Sequence, residues 1–175
     1  MAKLKDFDYS KYKKMKPPKD NSLETFKEIK DIDKLRSDES FVKDNDNLIK
    51  AYKPIVGEDD QVKSLVDESQ PIILKLKKHF NRPRPKVLAK KMNIKMKDIE
   101  MASMKTPSYP SGHSVQGILI GKVLGDKYPK AKSAFAKTGE NISYSRRVAR
   151  AHYKSDSKMG EQLGNSMYKH IKNKI

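Results

Sequence analysis

The sequence predicts an all-α protein, folded as a single-domain helical bundle. Apolar residues recur at helical spacing in several segments, most regularly between residues 62 and 80. Prolines, glycines and helix-start signals separate these segments. No segment shows the period-two alternation of a half-buried strand, and no internal repeat is present. A chain of 175 residues is expected to form one domain.

The first element is a lysine-rich segment, residues 1–20, which we interpret as a basic N-terminal arm. The pair Pro17-Pro18 closes this arm and prevents a helix from beginning within it. The helical domain is expected to cover residues 21–175. Its first helix is indicated by Ser22 and Glu24, which form a helix-start signal before an apolar stripe that reaches Leu35.

The later helices follow from the same kinds of signal. Helices are predicted at about residues 38–51, 62–80, 113–126, 128–150 and 156–172. Pro71 lies inside the third of the six helices, so the segment 62–80 is either one kinked helix or two stacked ones. The charged run 86–97 is predicted to be a solvated loop. Gly117, Gly121 and Gly125 are four residues apart, and this ridge without side chains would let another helix approach closely.

The charge of the chain points to anionic partners. There are 39 Lys and Arg residues against 22 Asp and Glu residues, a formal net charge of +17. Such a field concentrates anions near the surface. The sequence has no zinc-finger spacing, RNP motif or basic region joined to heptads, so no stable nucleic-acid partner is expected. The absence of cysteine excludes disulfides, thiolate catalysis and cysteine-ligated metals.

Hydropathy bears on where the chain is found. The first residues lack the apolar core of a signal peptide, and no window approaches the length of a membrane span. We therefore expect a cytoplasmic protein with no membrane-spanning segment. Homo-oligomerisation is left open.

Three segments contain residue types that handle phosphate. They are KKHFNRPRP at 77–85, YPSGH at 109–113, and SRRVARAHYKSD at 145–156. A phosphoryl group in transfer spreads its charge over three oxygens, so an enzyme needs fixed cations and N–H donors around it. Arginine and lysine supply the cations, and a helix that begins at a Ser-Gly pair supplies backbone amides and a favourable dipole.

Two histidines supply the remaining chemistry. Hydrolysis of a phosphate monoester without a metal needs a neutral imidazole to attack phosphorus and an acid to protonate the departing oxygen. Asp156 follows His152 by four residues, and a carboxylate there can accept the Nδ1 hydrogen, which leaves Nε2 free to attack. These residues indicate His152 as nucleophile and His113 as its acid partner.

Together, the three segments resemble the signature of the phosphatidic acid phosphatase type 2 superfamily: K-x6-R-P, then P-S-G-H, then S-R-x5-H-x3-D. The chain is most similar to the soluble bacterial class A nonspecific acid phosphatases, and PPKDNSLETFKEI near residue 20 resembles the entry to their first helix. The resemblance covers roughly residues 17–165. It implies the helical fold of the histidine acid phosphatases and vanadium haloperoxidases.

The resemblance also implies roles for individual residues. His152 would form a phosphohistidine, His113 would act as general acid and then general base, and Asp156 would steady His152. The phosphate oxygens would be held by Lys77, Arg84, Ser111, Gly112 and Arg146. The implied activity is metal-independent hydrolysis of a small phosphorylated substrate, with no cofactor. A vanadium-dependent haloperoxidase and a basic nucleic-acid-binding protein are the alternatives.

The first motif can be read in two registers, because Lys75 with Arg82-Pro83 fits it as well as Lys77 with Arg84-Pro85. Lys77 lies about 80° from the centre of the apolar stripe of its helix and Lys75 about 120° away, so Lys77 turns inward more easily. The family pattern selects the same register. Arg82 is then expected to be a cation behind the site or at its rim.

Overall fold

The computed structural model describes residues 3–174, which contain helices and no strand. The α-helices of this part of the chain are α1 (Leu23–Asp33), α2 (Glu39–Asp44), α3 (Leu48–Val56), α4 (Asp60–Phe80), α5 (Pro85–Lys91), α6 (Gly112–Lys127), α7 (Lys132–Val148) and α8 (Lys154–Lys172). Short 3-10 turns occur at Ser10–Lys14, Ala102–Lys105 and Pro129–Ala131. The predicted all-α fold is confirmed. None of these helices combines the length and apolar character needed to cross a bilayer.

Helix α6 forms the centre of the bundle and packs against α4, α7 and α8. Leu119, Ile120 and Leu124 are fully buried on it, and most of its other residues are buried as well. A helix that is covered on nearly every side needs no polar face, and the sequence of α6 is accordingly apolar or small along most of its length.

The glycine ridge of α6 brings it into backbone contact with α7. A Cβ atom on Gly139 would lie 2.7 Å from the carbonyl oxygen of Gly117, and one on Gly121 would lie 2.9 Å from the carbonyl oxygen of Phe135. The hydroxyl of Tyr52, from α3, donates to the Gly117 carbonyl at 2.6 Å. The close helix approach predicted from the glycine spacing is present, and it leaves no room for even a methyl group.

Three predicted elements need correction. The segment 38–51 forms two helices, because the side chain of Asn47 accepts the Lys50 amide at 3.0 Å and starts α3 anew. The charged run 86–97 was expected to be a loop, but its first part belongs to α5, where Leu88 and Ala89 pack against α1. The helix expected at 128–150 begins at Lys132, after a 3-10 turn. In contrast, α4 continues through Pro71 as one helix.

The basic segment that precedes α1 lies against the bundle. Leu4 and Tyr12 are buried in the main core, and the turn Ser10–Lys14 packs on α4. The hydroxyl of Tyr109 donates to the Met15 carbonyl, which connects this segment to the loop before α6. The division of the chain into an arm and a domain stays a prediction.

The ends of four helices meet at one side of the bundle: the C-terminal ends of α4 and α7 and the N-terminal ends of α6 and α8. The Ser111 amide donates to the Asp156 carbonyl oxygen at 3.1 Å, which joins the starts of α6 and α8. A Cβ atom on Gly160 would lie 2.6 Å from the Ser111 carbonyl oxygen. This close packing places the three phosphate-handling segments of the sequence next to one another.

Candidate active site

His152 lies in the loop between α7 and α8 with 3% of its surface exposed. Its Nδ1 is 3.0 Å from Asp156 Oδ2, and its Nε2 is 2.9 Å from Arg84 Nη1. Arginine only donates, so Nε2 is the acceptor and Nδ1 carries the hydrogen that Asp156 accepts. Burial, reinforced by the charges of Arg84 and Lys77, holds the pKa of His152 well below its usual range. The ring is therefore a neutral imidazole whose lone pair is on Nε2.

Asp156 is fully buried and connects His152 to the fold. It is the third residue of α8, and its Oδ2 accepts the Tyr153 amide at 3.1 Å, which caps the helix. Oδ2 also accepts the Ser108 hydroxyl, whereas Oδ1 accepts Arg82 Nη1 at 2.8 Å. Burial raises the pKa of Asp156 to about 6, and the Arg82 charge opposes this rise. The same carboxylate that orients His152 thus also starts α8.

Arg82 holds the far oxygen of this carboxylate. Its side chain has no exposed surface, and its second Nη is 3.2 Å from Glu28 Oε2 on α1. Its guanidinium carbon lies 3.7 Å from the centre of the Tyr153 ring, a stacked cation–π contact. Arg82 is thus placed behind Asp156, with carboxylates on both sides, and His152 binds the other oxygen of Asp156.

Lys77 and Arg84 are also buried, but their partners are neutral. Lys77 Nζ donates to the Pro107 carbonyl at 2.7 Å. Arg84 donates to the carbonyl oxygens of Thr106, Ala151 and Ser103 and to the Thr106 hydroxyl, in addition to His152. Among the described residues, no carboxylate lies within ion-pair distance of either cation. Burial, together with the Arg84 charge, lowers the pKa of Lys77 to about 7.

His113 and Arg146 approach the site from the first turn of α6 and the last turn of α7, and both bind Asp46. Arg146 Nη1 is 3.1 Å from Asp46 Oδ1, and His113 Nε2 is 2.7 Å from the Asp46 carbonyl oxygen. A carbonyl only accepts, so His113 donates through Nε2 and its Nδ1 is the other available atom. Burial and the Arg146 charge lower the pKa of His113 to about 4. Arg146 Nη2 is buried without a hydrogen-bond partner among the described residues.

Ser111 and Gly112 form the start of α6. The Ser111 hydroxyl caps the helix by accepting the Ser114 amide at 3.3 Å. A Cβ atom on Gly112 would lie 3.3 Å from Ile73 Cγ2 and 3.8 Å from Lys77 Cε, so the backbone of α6 begins next to the lysine of α4. Amides in the first turn of a helix lack intrahelical partners and favour an anion.

Comparison with known proteins found two similar phosphatases. No family model matches the chain. The non-specific acid phosphatase of Salmonella typhimurium is 35% identical to it over 88 residues, which are 50% of this chain and 35% of that protein. The non-specific acid phosphatase of Salmonella typhi is 28% identical over 130 residues, 68% of this chain and 52% of that protein. The chain is thus similar to two non-specific acid phosphatases.

Both matches support the resemblance predicted from the three motifs. The chain spans about a third and about half of the lengths of the two curated phosphatases that it matches. Its three motifs, which are far apart in the chain, lie at one place in the fold.

The fold brings most of the predicted site residues together, either in direct contact or through one shared neighbour. His152 binds both Asp156 and Arg84, while His113 and Arg146 share Asp46. The burial of the two lysines agrees with the register that pairs Lys77 with Arg84. Lys77 is buried, whereas Lys75 is exposed and its ammonium lies over the Tyr9 ring. The Ser111 hydroxyl is the exception: its bonds go to Ser114 within α6, not to the histidines.

Three neighbours of the site lie outside the motifs and were missed. They are Glu28, which binds Arg82; Ser108, which binds Asp156; and Asp46. One signal could have directed attention to the carboxylates: buried arginines need acidic partners, and few acidic residues occur inside the motifs. That signal does not say which of the 22 acidic residues would serve.

Proposed function

We propose that this acid phosphatase relative hydrolyses phosphate monoesters through a phosphohistidine formed on His152. The observation that carries the proposal is a neutral, buried imidazole, oriented by Asp156 and surrounded by Lys77, Arg84 and Arg146. Lys77 and Arg84 have no carboxylate partner among the described residues, so a bound phosphate dianion would neutralise charge that the protein leaves uncompensated. The activity of the two Salmonella relatives supports the same reaction.

In the first step, the lone pair of His152 Nε2 forms a bond to phosphorus while the bond to the leaving oxygen breaks. The electron pair of that bond goes to the leaving oxygen, which takes a proton from Nδ1 of His113; the negative charge of the bound phosphate favours the imidazolium form of this histidine. In the ligand-free protein, Arg84 Nη1 donates to the attacking nitrogen at 2.9 Å. We propose that this N–H turns to a phosphoryl oxygen as the substrate enters, which frees the lone pair.

In the second step, water attacks phosphorus and gives a proton to His113, and the electrons of the N–P bond return to Nε2. Asp156 stabilises His152 throughout, since its Oδ2 accepts the Nδ1 hydrogen. Lys77, Arg84, Arg146 and the Gly112 amide would hold the three oxygens, since the Ser111 amide is bound to the Asp156 carbonyl. The two histidines and the cations supply a nucleophile, an acid and charge stabilisation, so we propose metal-independent chemistry on small phosphorylated substrates.

The proposal is tested with His152→Ala and an aryl phosphate such as 4-nitrophenyl phosphate. Loss of the nucleophile is expected to lower kcat by at least about three orders of magnitude. His79→Ala is the matched control and should keep wild-type activity. His79 is exposed on α4, and within residues 3–174 its ring bonds to the Lys13 carbonyl and packs on the Phe80 ring, away from the proposed site residues. Wild-type turnover by a His152→Ala protein with an unchanged circular dichroism spectrum would refute the nucleophile assignment.

A further inference from the structure

The corner between α2 and α3 holds a carboxylate against the site at a fixed position. The side-chain amide of Asn45 donates to the Phe41 carbonyl at 2.8 Å, which closes the end of α2. The side chain of Asn47 accepts the Lys50 amide at 3.0 Å, which opens α3. Asp46 lies between these two capped ends, so its backbone is fixed on both sides.

Asp46 contacts two of the proposed functional residues. Its Oδ1 is 3.1 Å from Arg146 Nη1 and 3.6 Å from His113 Nε2, and its backbone carbonyl accepts the His113 Nε2 hydrogen at 2.7 Å. The carbonyl contact sets which nitrogen of His113 is free, and any side-chain substitution leaves that carbonyl in place. A substitution such as Asp46→Asn therefore keeps the orientation of His113 while it removes the charge that faces both Arg146 and His113.

The Asp46 carboxylate makes the charge around Arg146 different from that around the other two cations of the site. Of the three cations proposed to hold phosphate, Arg146 alone has an acidic partner among the described residues. The Arg146 side chain is 1% exposed, and the Asp46 side chain is 43% exposed, so Asp46 lies at the mouth of the site and Arg146 inside it. An anion bound by Arg146 would share its guanidinium with the Asp46 carboxylate.

We propose that Asp46 is a positioning residue that holds Arg146 in place and lowers the affinity of the site for phosphate. This inference rests on the proposed function, because it concerns how the phosphate product leaves. A pocket with three cations, two of them without acidic partners, would retain a phosphate dianion strongly. A carboxylate on the third cation repels the dianion and lets the product dissociate, whereas Lys77 and Arg84 have no carboxylate beside them among the described residues.

The test compares three variants in the binding of inorganic phosphate by isothermal titration calorimetry. Asp46→Asn keeps the shape and the acceptor for Arg146 but removes the charge, and it should bind phosphate roughly tenfold more tightly than the wild type. Asp46→Glu keeps the charge and should stay within about twofold of the wild type. Asp44→Asn is the matched control, since Asp44 is an exposed carboxylate two residues away, and it too should stay within about twofold.

A purely structural role gives a different result. If Asp46 only supports Arg146, its loss disorders the guanidinium, and Asp46→Asn binds phosphate no more tightly than the wild type, which would overturn the inference. Asp46→Ser is a second charge-removing variant if Asp46→Asn does not fold, as judged by thermal unfolding. The same tighter binding is expected for Asp46→Ser, and its absence overturns the inference equally.

Hydrolysis assays separate this inference from the proposed function. In Asp46→Asn, KM for an aryl phosphate and Ki for phosphate should fall together by roughly tenfold. If the wild type binds phosphate but hydrolyses no ester, the proposed function fails, and the calorimetry still decides the role of Asp46. If the wild type binds no phosphate, both proposals fail.

Discussion

Removing the negative charge of Asp156 should reduce stability and activity by separable amounts. Asp156→Asn keeps the side-chain shape but leaves Arg82 without the carboxylate that faces it at 2.8 Å, where neither side chain is exposed. Breaking a buried ion pair costs about 3–5 kcal/mol. Glu28 still faces Arg82 at 3.2 Å, so we expect the lower end of this range. In a chain of this size, about 3 kcal/mol corresponds to a fall in Tm of about 6–12 °C.

The loss of activity has a different cause. His152 Nδ1 donates to Asp156 Oδ2, and the carboxylate both fixes that tautomer and stabilises positive charge on the ring. An amide does neither reliably, because it can present its NH₂ group to the ring instead of its oxygen. We expect kcat to fall by about three to four orders of magnitude.

A double variant distinguishes the two effects. Arg82→Met combined with Asp156→Asn removes both members of the fully buried ion pair, and the methionine can pack against Tyr153. Glu28 loses its arginine but still accepts the Ser155 amide and hydroxyl, so part of the lost Tm should return. The activity should stay low, because His152 still lacks its carboxylate. The measurements are Tm by differential scanning calorimetry and kcat on an aryl phosphate. An unchanged Tm in the single variant, or restored activity in the double variant, would refute this reasoning.

Two further predictions concern packing and pH. Gly160→Ala should lower the stability by about 1–3 kcal/mol and raise KM, because the new methyl group would lie 2.6 Å from the Ser111 carbonyl oxygen. Gly125→Ala is the control and should keep wild-type Tm and KM, because the nearest neighbour of its methyl group is a flexible lysine side chain at 3.2 Å. Burial lowers the pKa of His113 from 6.5 to about 4, so its contribution to stability is complete above pH 6.5 and is lost as the pH falls through 4. Denaturant unfolding between these pH values should therefore show a loss larger by about 3 kcal/mol in the wild type than in His113→Asn. The raised pKa of Asp156 acts in the opposite direction in both proteins, and a constant gap between the two curves would contradict the prediction.

The sequence predicted the longest helices well because their stripes repeat over many turns. The glycine spacing on α6 also predicted its close neighbour, since a side-chain-free ridge has few other uses in a buried helix. The break at residues 45–47 was missed, because a cap such as Asn47 is a single residue whose effect depends on the backbone around it. Helix α5 was missed because only Leu88 and Ala89 mark its buried side within a charged run.

The site shows the same limit. Linked motifs predicted the residues next to His152, because the chemistry of phosphate transfer restricts which residue types can stand there. Asp46 and Arg146 are 100 residues apart, and nothing local to either residue specifies the other as its partner. Their contact exists because α7 packs directly against α2 and α3, which brings the end of α7 to the corner between these two helices. Tertiary packing, which the motifs do not encode, selects such partners.

The contact between Tyr109 and Met15 has a consequence for the order of folding. It closes a loop of 94 residues, and Tyr12 bonds to Ser166, 154 residues away, on the same side of the bundle. Closing loops of this length costs chain entropy before the contacts form, and proteins with such non-local contacts fold slowly. The loop that begins α6 is therefore expected to reach its final position late in folding, after the N-terminal segment has packed against the bundle.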